Sequence, residues 1–359
     1  MKNLINKNIL KITPYQPGRP IEEVERQFGL KNVIKLASNE NPLGTSSKAI
    51  LAIKKSLANL NRYPDGNCFY LKKRLAEKLR LKPQNLIFGN GSDEIIDIII
   101  KTFVDSGEEV LTSKVSFLEY EIVSKANNRK FREIALKDFE YDLKAIKNAV
   151  KNNTKVIFIA NPNNPTGTYV NKKEVEAFLR NLPKDIIVVF DEAYNEFVDK
   201  NDFPKTLNYI NRNVIVMRTF SKTFGLAGLR IGYAVAKPRF IECMNRIRQP
   251  FNVNILAQAA ALNAITDDNF LKRSKKTILS GKRYLYRELD KLGLCYIPSV
   301  ANFILVDLNK DSRIVFNKLL RQGVIVRDMK AYKLNNFIRV TVGTKKENHR
   351  FIKALRRIL

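Results

Sequence analysis

Short runs of β-branched and other apolar residues recur along the middle of the chain. Between them the apolar positions spread out to intervals of three and four. The runs NLIFG (85–89), EEVLT (108–112), KVIFIA (155–160), IIVVFDEA (186–193), VIVMRTF (214–220) and IGYAVA (231–236) read as buried strands. SDEIIDIIIKTFVDSG and NKKEVEAFLRNLP, which lie between such runs, have helical spacing and open on residues that cap helices. Strands alternating with helices predict an α/β fold, a mostly parallel sheet covered by helices on both faces. From about residue 260 the pattern changes to a long helical stretch, then CYIPSVANFILVDL, a helix, VIVRD and FIRVTVG, which predicts a smaller α+β domain.

Composition narrows the function classes. A chain of 359 residues, 45% of them hydrophobic, can build two domains with proper cores, which excludes general disorder. Cys68, Cys243 and Cys295 lie far apart and form no CxxC pair, so neither a zinc ribbon nor a disulfide scaffold is expected and a reducing compartment is the natural home. His349 is the only histidine, so a His-rich metal site or a Ser-His-Asp triad has almost nothing to be built from, and no metal is expected. Lys and Asn interrupt the apolar residues of MKNLINKNILKITPY too often for a signal peptide, and no apolar window is long enough to span a bilayer. The expectation is a cytoplasmic protein with no membrane partner. The 64 Lys and Arg against 35 Asp and Glu give a formal charge of +29, but the basic residues run from Lys2 to Arg357 rather than forming one arm. No nucleic-acid partner is expected; a positive field that speeds the arrival of anionic small molecules fits better.

Ligands of open α/β sheets bind outside the carboxyl ends of the strands. After NLIFG comes Asn90-Gly91-Ser92-Asp93-Glu94, opening a helix; after KVIFIA comes Asn161-Pro162-Asn163-Asn164-Pro165-Thr166-Gly167. IIVVF is followed by Asp191-Glu192-Ala193-Tyr194, and VIVMRTF by Ser221-Lys222 and a glycine-rich stretch that includes Arg230. Four strand ends thus offer an anion cradle, an amide, a carboxylate and a lysine.

Each signal alone has an ordinary reading. Glycines before a helix leave backbone N–H groups free for an anion, yet they also simply make a tight turn with Ser92 as N-cap. Asp191, at the end of an apolar strand, needs a cationic or hydrogen-bonding partner, and a structural ion pair would serve. One lysine among 64 basic residues means little, but Ser221-Lys222 followed by Gly225, Gly228, Arg230 and Gly232 combines a potential imine-forming amine with close backbone approach and a phosphate-pairing guanidinium. A ligand bearing a phosphate, an aldehyde and a ring nitrogen that wants an acid partner satisfies all of these at once, and pyridoxal 5'-phosphate is such a molecule.

At these residues the chain resembles the fold-type-I, class-II-like pyridoxal-phosphate aminotransferases, and within them the histidinol-phosphate aminotransferase family. The likeness runs through PYQPGRPIEEVERQFGL, KLASNENPLG, RYPDG, GNGSDE, NPNNPTGT, DEAYNEF, RTFSKTFGLAGLRIGYA, ANF, GVIVRD and FIRVTVGT, in that order. The resemblance implies that Lys222 holds the cofactor as an imine and shuttles the proton, that Asp191 contacts the pyridine nitrogen, and that Asn164 and Tyr194 bond the ring's 3-oxygen. It implies a phosphate cradle of the Ser92 and Asp93 backbone groups, Ser221 and Arg230, with Tyr63 reaching in from the other subunit of a homodimer. Phe117 stands where the family has the aromatic residue that stacks on the ring. The family's usual Pro-Thr-aromatic stretch reads Val115-Ser116-Phe117 here, a departure that bears on the loop rather than on the stacking face.

For the substrates, Arg339 matches the arginine that receives a carboxylate from glutamate or 2-oxoglutarate. Arg327 matches one that binds the phosphate of histidinol phosphate, and Tyr15 one that closes over the same group. The implied division is an N-terminal segment (1–40) joining the small domain, a large cofactor domain (41–258) and a small C-terminal domain (259–359). The implied reaction takes L-histidinol phosphate and 2-oxoglutarate to imidazole acetol phosphate and L-glutamate, a step of histidine biosynthesis. An aromatic amino-acid aminotransferase and a phosphoamino-acid decarboxylase of the same fold are the alternatives.

Overall fold

The structure is a computed structural model that describes residues 4–359. Strand β1 (Ile34–Lys35) precedes the main sheet, which comprises β2 (Leu86–Gly89), β3 (Glu109–Ser113), β4 (Lys130–Ile134), β5 (Thr154–Ala160), β6 (Ile187–Asp191), β7 (Val214–Thr219) and β8 (Gly232–Val235). Their spatial order is β2-β8-β7-β6-β5-β3-β4; neighbours from β7 to β4 pair in parallel, and β8 runs antiparallel to both β7 and β2. This is the mostly parallel, doubly covered sheet that the alternation predicts.

Side chains alternate across it, as a strand's two-residue period requires. Val156 and Phe158 of β5 pack on one face with Ile95, Ile99 and Met244, while Ile157 and Ile159 pack on the other with Val175, Ala257 and Ala260. The edge strand β4 is the one the apolar pattern misses. Its KFREI sequence is only half buried, because one of its sides has no strand partner and it carries no continuous apolar run.

The second lobe holds an antiparallel sheet of β9 (Tyr296–Ile297), β10 (Phe303–Asp307), β12 (Arg327–Asp328) and β13 (Phe337–Thr341), in the order β12-β13-β10-β9. Strand β11 (Val324–Ile325) instead pairs in parallel with β1, Ile34 opposite Val324. The N-terminal helix Ile21–Phe28 lies over that pair, Val24 packing with Val33, Leu320 and Ile325.

The long helical stretch resolves into Ile255–Ala264, whose alanines pack into the main-sheet core, and Asp268–Lys291, which crosses between cores. Leu271 touches the first core, and Ile278, Leu285 and Leu289 belong to the second. Among the described residues no helix is long and apolar enough to cross a membrane.

Candidate active site

Register explains why distant motifs meet. Ala160 of β5 pairs with Asp191 of β6, and Asp191 with Met217 of β7, so the three central strands end on one rim. The loops carrying Asn164, Tyr194 and Lys222 leave from that rim. β2 delivers a fourth group beside β8: a Cβ at Gly232 would lie 2.8 Å from the backbone nitrogen of Ser92, so only glycine lets the helix Gly91–Phe103 start so close to the sheet. Gly91 itself adopts φ +82°.

A cavity of about 320 Å³ opens at this rim, and both lobes line it. The main-sheet side supplies Ser92, Asp93, Phe117, Asn164, Asp191, Tyr194, Ser221, Lys222 and Arg230; the other side supplies Tyr15, Arg327 and Arg339. Every site residue named from the sequence therefore borders one space except Tyr63. That side chain is 82% exposed and stacks on Phe251, ring centres 4.7 Å apart, away from this cavity.

Burial sets the electrostatics. Asp191 is pushed up to about 6 by loss of solvent, although the Tyr120 hydroxyl (2.8 Å) and the Ala193 N–H (3.2 Å) both donate to it and favour its charged form. Its neighbour Glu192, equally buried, is matched by Arg218 at 2.7 Å. Lys222 is brought down to about 8, first by burial and then by the nearby Arg339 guanidinium. Its Nζ donates to the Ser38 carbonyl at 3.0 Å, a neutral acceptor that leaves the ammonium without an ion-pair partner among the described residues.

Arg339, on β13, is 6% exposed; it donates from Nη1 to Asn164 Oδ1 and from Nη2 to the Ala37 carbonyl at 2.8 Å, while Nε has no partner. Tyr194 accepts a hydrogen bond from Asn39 Nδ2 at 2.9 Å, and burial raises its hydroxyl above the ordinary phenol range. Arg327 lies over the Tyr15 ring, 5.4 Å from its centre.

The helix Gly91–Phe103 starts after Asn90, whose own side chain makes no cap bond while its backbone N–H donates to Glu94 Oε2 at 2.5 Å, so the simpler reading, Ser92 as an N-cap, does not hold. Its first turn keeps its N–H groups for an incoming anion, and Arg230 reaches the same turn through a 2.8 Å pair with Asp93. Phe117 stands edge-on to Tyr120, ring centres 5.7 Å apart. The departure at Val115 shows in the backbone: φ is +53°, strained for a β-branched residue, and the Val115 carbonyl accepts from Asn163 Nδ2 at 3.1 Å.

The donor set suits pyridoxal phosphate. Among the described residues, a buried carboxylate with no cation bonded to it, a lysine amine with no acid bonded to it and a helix start beside an arginine whose Asn90 side chain makes no cap bond are three unfinished partnerships that one phosphorylated pyridine aldehyde completes. Sequence reasoning missed Tyr120 and the segment Ala37-Ser38-Asn39, which supplies the carbonyl or amide partners of Arg339, Lys222 and Tyr194. Backbone carbonyls leave no trace in residue type, and Tyr120, three residues beyond Phe117, looks like ordinary helical core.

Comparison with known proteins agrees with the geometry. The family model for aminotransferase class I and II matches residues 31–355. The histidinol-phosphate aminotransferase of Moorella thermoacetica is 47% identical over 354 residues, 98% of this chain and 92% of that protein. Histidinol-phosphate aminotransferase 2 of Carboxydothermus hydrogenoformans is 45% identical over 359 residues, 99% of each. The crystal structure of histidinol-phosphate aminotransferase from Sinorhizobium meliloti in complex with pyridoxal-5'-phosphate superposes with a TM-score of 0.89 at 28% identity, covering 99% of this chain and 98% of that one.

Proposed function

This chain belongs to the aminotransferase class I and II family, and we propose that it acts there as a histidinol-phosphate aminotransferase. It carries the amino group of L-histidinol phosphate to 2-oxoglutarate, yielding imidazole acetol phosphate and L-glutamate, a step of histidine biosynthesis, with pyridoxal 5'-phosphate as cofactor. Bound at the rim, pyridoxal phosphate supplies an aldehyde to capture the substrate amine and a ring to take up the electrons of the broken Cα–H bond. The protein residues do the rest.

Lys222 is the attachment point, and its lowered basicity keeps a larger share of the amine neutral and nucleophilic near pH 7 than an exposed lysine has. Released from that bond, the same Nζ would take the proton from the substrate Cα and return it to the cofactor's C4′, on the far side of the shared nitrogen. Asp191 faces the ring nitrogen, Asn164 and Tyr194 hold the 3-oxygen, and Phe117 stacks on the ring. The backbone groups of Ser92 and Asp93, with Ser221 and Arg230, hold the phosphate. Arg339 takes the carboxylate of glutamate or 2-oxoglutarate, giving up its bond to the Ala37 carbonyl, while Arg327 and Tyr15 take the phosphate of histidinol phosphate.

The working form in this reading is a cytoplasmic homodimer with a shared site, Tyr63 contributing to the phosphate cradle of the other copy. Support comes from the concentration of exposed large apolar side chains between residues 43 and 70, joined by Ile247 and Phe251. The division of labour follows the lobes: residues 41–258 carry the cofactor-binding groups, and residues 1–40 with 259–359 carry Tyr15, Arg327 and Arg339, which face the substrate.

One observation carries the proposal. A lysine and a buried carboxylate share a cavity with two arginines from the opposite lobe, which gives one place for a cofactor and another for substrate anions. The test feeds histidinol phosphate, phenylalanine and a phosphoamino acid in turn, with 2-oxoglutarate as acceptor, scoring keto product against released carbon dioxide. Keto product mainly from histidinol phosphate is expected. Product from phenylalanine alone, or carbon dioxide from the phosphoamino acid, would overturn the substrate assignment.

A further inference from the structure

Asp191 ends β6 with both carboxylate oxygens engaged. Tyr120 donates to Oδ2 at 2.8 Å and the Ala193 N–H to Oδ1 at 3.2 Å, which fixes the plane of the group before any ligand arrives. Tyr120 is wholly buried and lies outside the cavity lining, so it has no direct route to substrate. Its ring is clamped: Phe158 of β5 stacks on it (centres 4.6 Å apart, planes within 15°), and Phe117 meets its edge. A phenol suits this place because it donates one hydrogen without bringing a positive charge that would compete with a protonated ring nitrogen. Burial and the adjacent carboxylate both hold its own proton in place, so it stays a donor.

We propose that Tyr120 is a positioning residue that acts through Asp191, holding that carboxylate in the orientation which accepts the cofactor's ring N–H. The inference rests on the Asp191 role given above. The Phe117-Tyr120-Phe158 ladder then has two ends: Phe117 at the cavity beside the ring face, and Tyr120 behind the carboxylate that meets the ring's edge. The short segment from Phe117 into the helix that opens at Glu119 thereby couples stacking to nitrogen recognition.

The test measures equilibrium binding to the apoprotein of pyridoxal phosphate and of its analogue with CH in place of the ring nitrogen. It uses wild type, Tyr120→Phe, Asp191→Asn and the double variant. Tyr120→Phe keeps the ring and its stack and removes only the hydroxyl. It should weaken pyridoxal phosphate about tenfold, the scale of a lost hydrogen bond to a charged group, leave the analogue within about twofold of wild type, and add nothing on the Asp191→Asn background. Equal loss for both ligands would mean a merely structural tyrosine and would overturn the inference, as would unchanged binding of both. Failure of wild type itself to prefer pyridoxal phosphate over the analogue would instead overturn the role of Asp191, so the two failures are told apart.

Discussion

The two walls of the cavity are built on different principles. On the main-sheet wall, Asp191 and Lys222 are carried by adjacent parallel strands or the loops leaving them, and Asn164 by the loop after β5; the strand register alone puts them on one rim. On the opposite wall, Arg327 and Arg339 come from short antiparallel strands, and Tyr15 and residues 37–39 from an N-terminal segment tied down by the two-residue pair of β1 with β11. The first wall is deep, continuous core. The second is a strap and a small sheet, joined to the first through Tyr194, which packs edge-on against Phe303 at 5.0 Å, and through the Arg339–Asn164 and Lys222–Ser38 hydrogen bonds. In the proposed reading, bond making and breaking belongs to the wall of continuous core, and substrate selection to the wall built from short strands and a strap.

Variants on each wall should therefore fail differently. The largest effect belongs to Lys222→Ala: turnover should fall by at least about 10³-fold and the absorption band of the bound cofactor should vanish. Near-normal turnover would break the comparison outright.

Next comes Asp191→Asn, for which activity and stability should part company. Turnover should drop by about 10²-fold with the loss of the charge on the ring nitrogen. The apoprotein should gain about 1–3 kcal/mol at pH 7, read by urea unfolding. The sign follows from burial. The folded-state value is raised to about 6, above the ordinary 3.8, so the native chain carries a buried charge at pH 7 at a cost that asparagine removes. As pH falls through 6 toward 4 the native carboxyl takes up its proton and the gain should shrink; a gain that grew with acid would refute the assignment.

Substitutions on the opposite wall should spare the cofactor. Arg339→Lys, which loses the planar fork, should lower kcat/KM about 10- to 100-fold for every carboxylate substrate. Arg327→Ala should do so for histidinol phosphate and leave glutamate nearly untouched. Equal effects of both variants on both substrates would erase the distinction between the two arginines.

The smallest effect is expected at the seam. Ile325→Val, under the N-terminal helix, should cost about 0.5–1.5 kcal/mol in unfolding and leave kcat within about twofold, because the seam carries no reacting group.

Much of the main-sheet wall was legible in the chain. Buried parallel strands are continuous apolar runs, so VIVMRTF and IIVVF declare themselves, and with them the fact that Lys222 and Asp191 stand at strand ends. The edge strand Lys130–Ile134 escaped because half-buried strands need no apolar run. That β8 runs against its neighbours also escaped, since direction leaves no mark on composition. On the other wall, resemblance located Arg327, Arg339 and Tyr15, while their partners at Ala37, Ser38 and Asn39 stayed hidden because two of the three act through backbone carbonyls.

Sequence by itself determined the layers of the fold, the residue types at the strand ends and the family to which they belong, because periodicity and local spacing are properties of neighbours along the chain. Tertiary structure alone decided that Asn39 reaches Tyr194, that Tyr120 backs Asp191, and that burial moves an acid up and an amine down in one cavity. The physical reason is that hydrogen-bond partnership and loss of solvent depend on distance in space between segments far apart in the chain, such as Ala37 and Arg339, 302 residues apart, which no local pattern encodes.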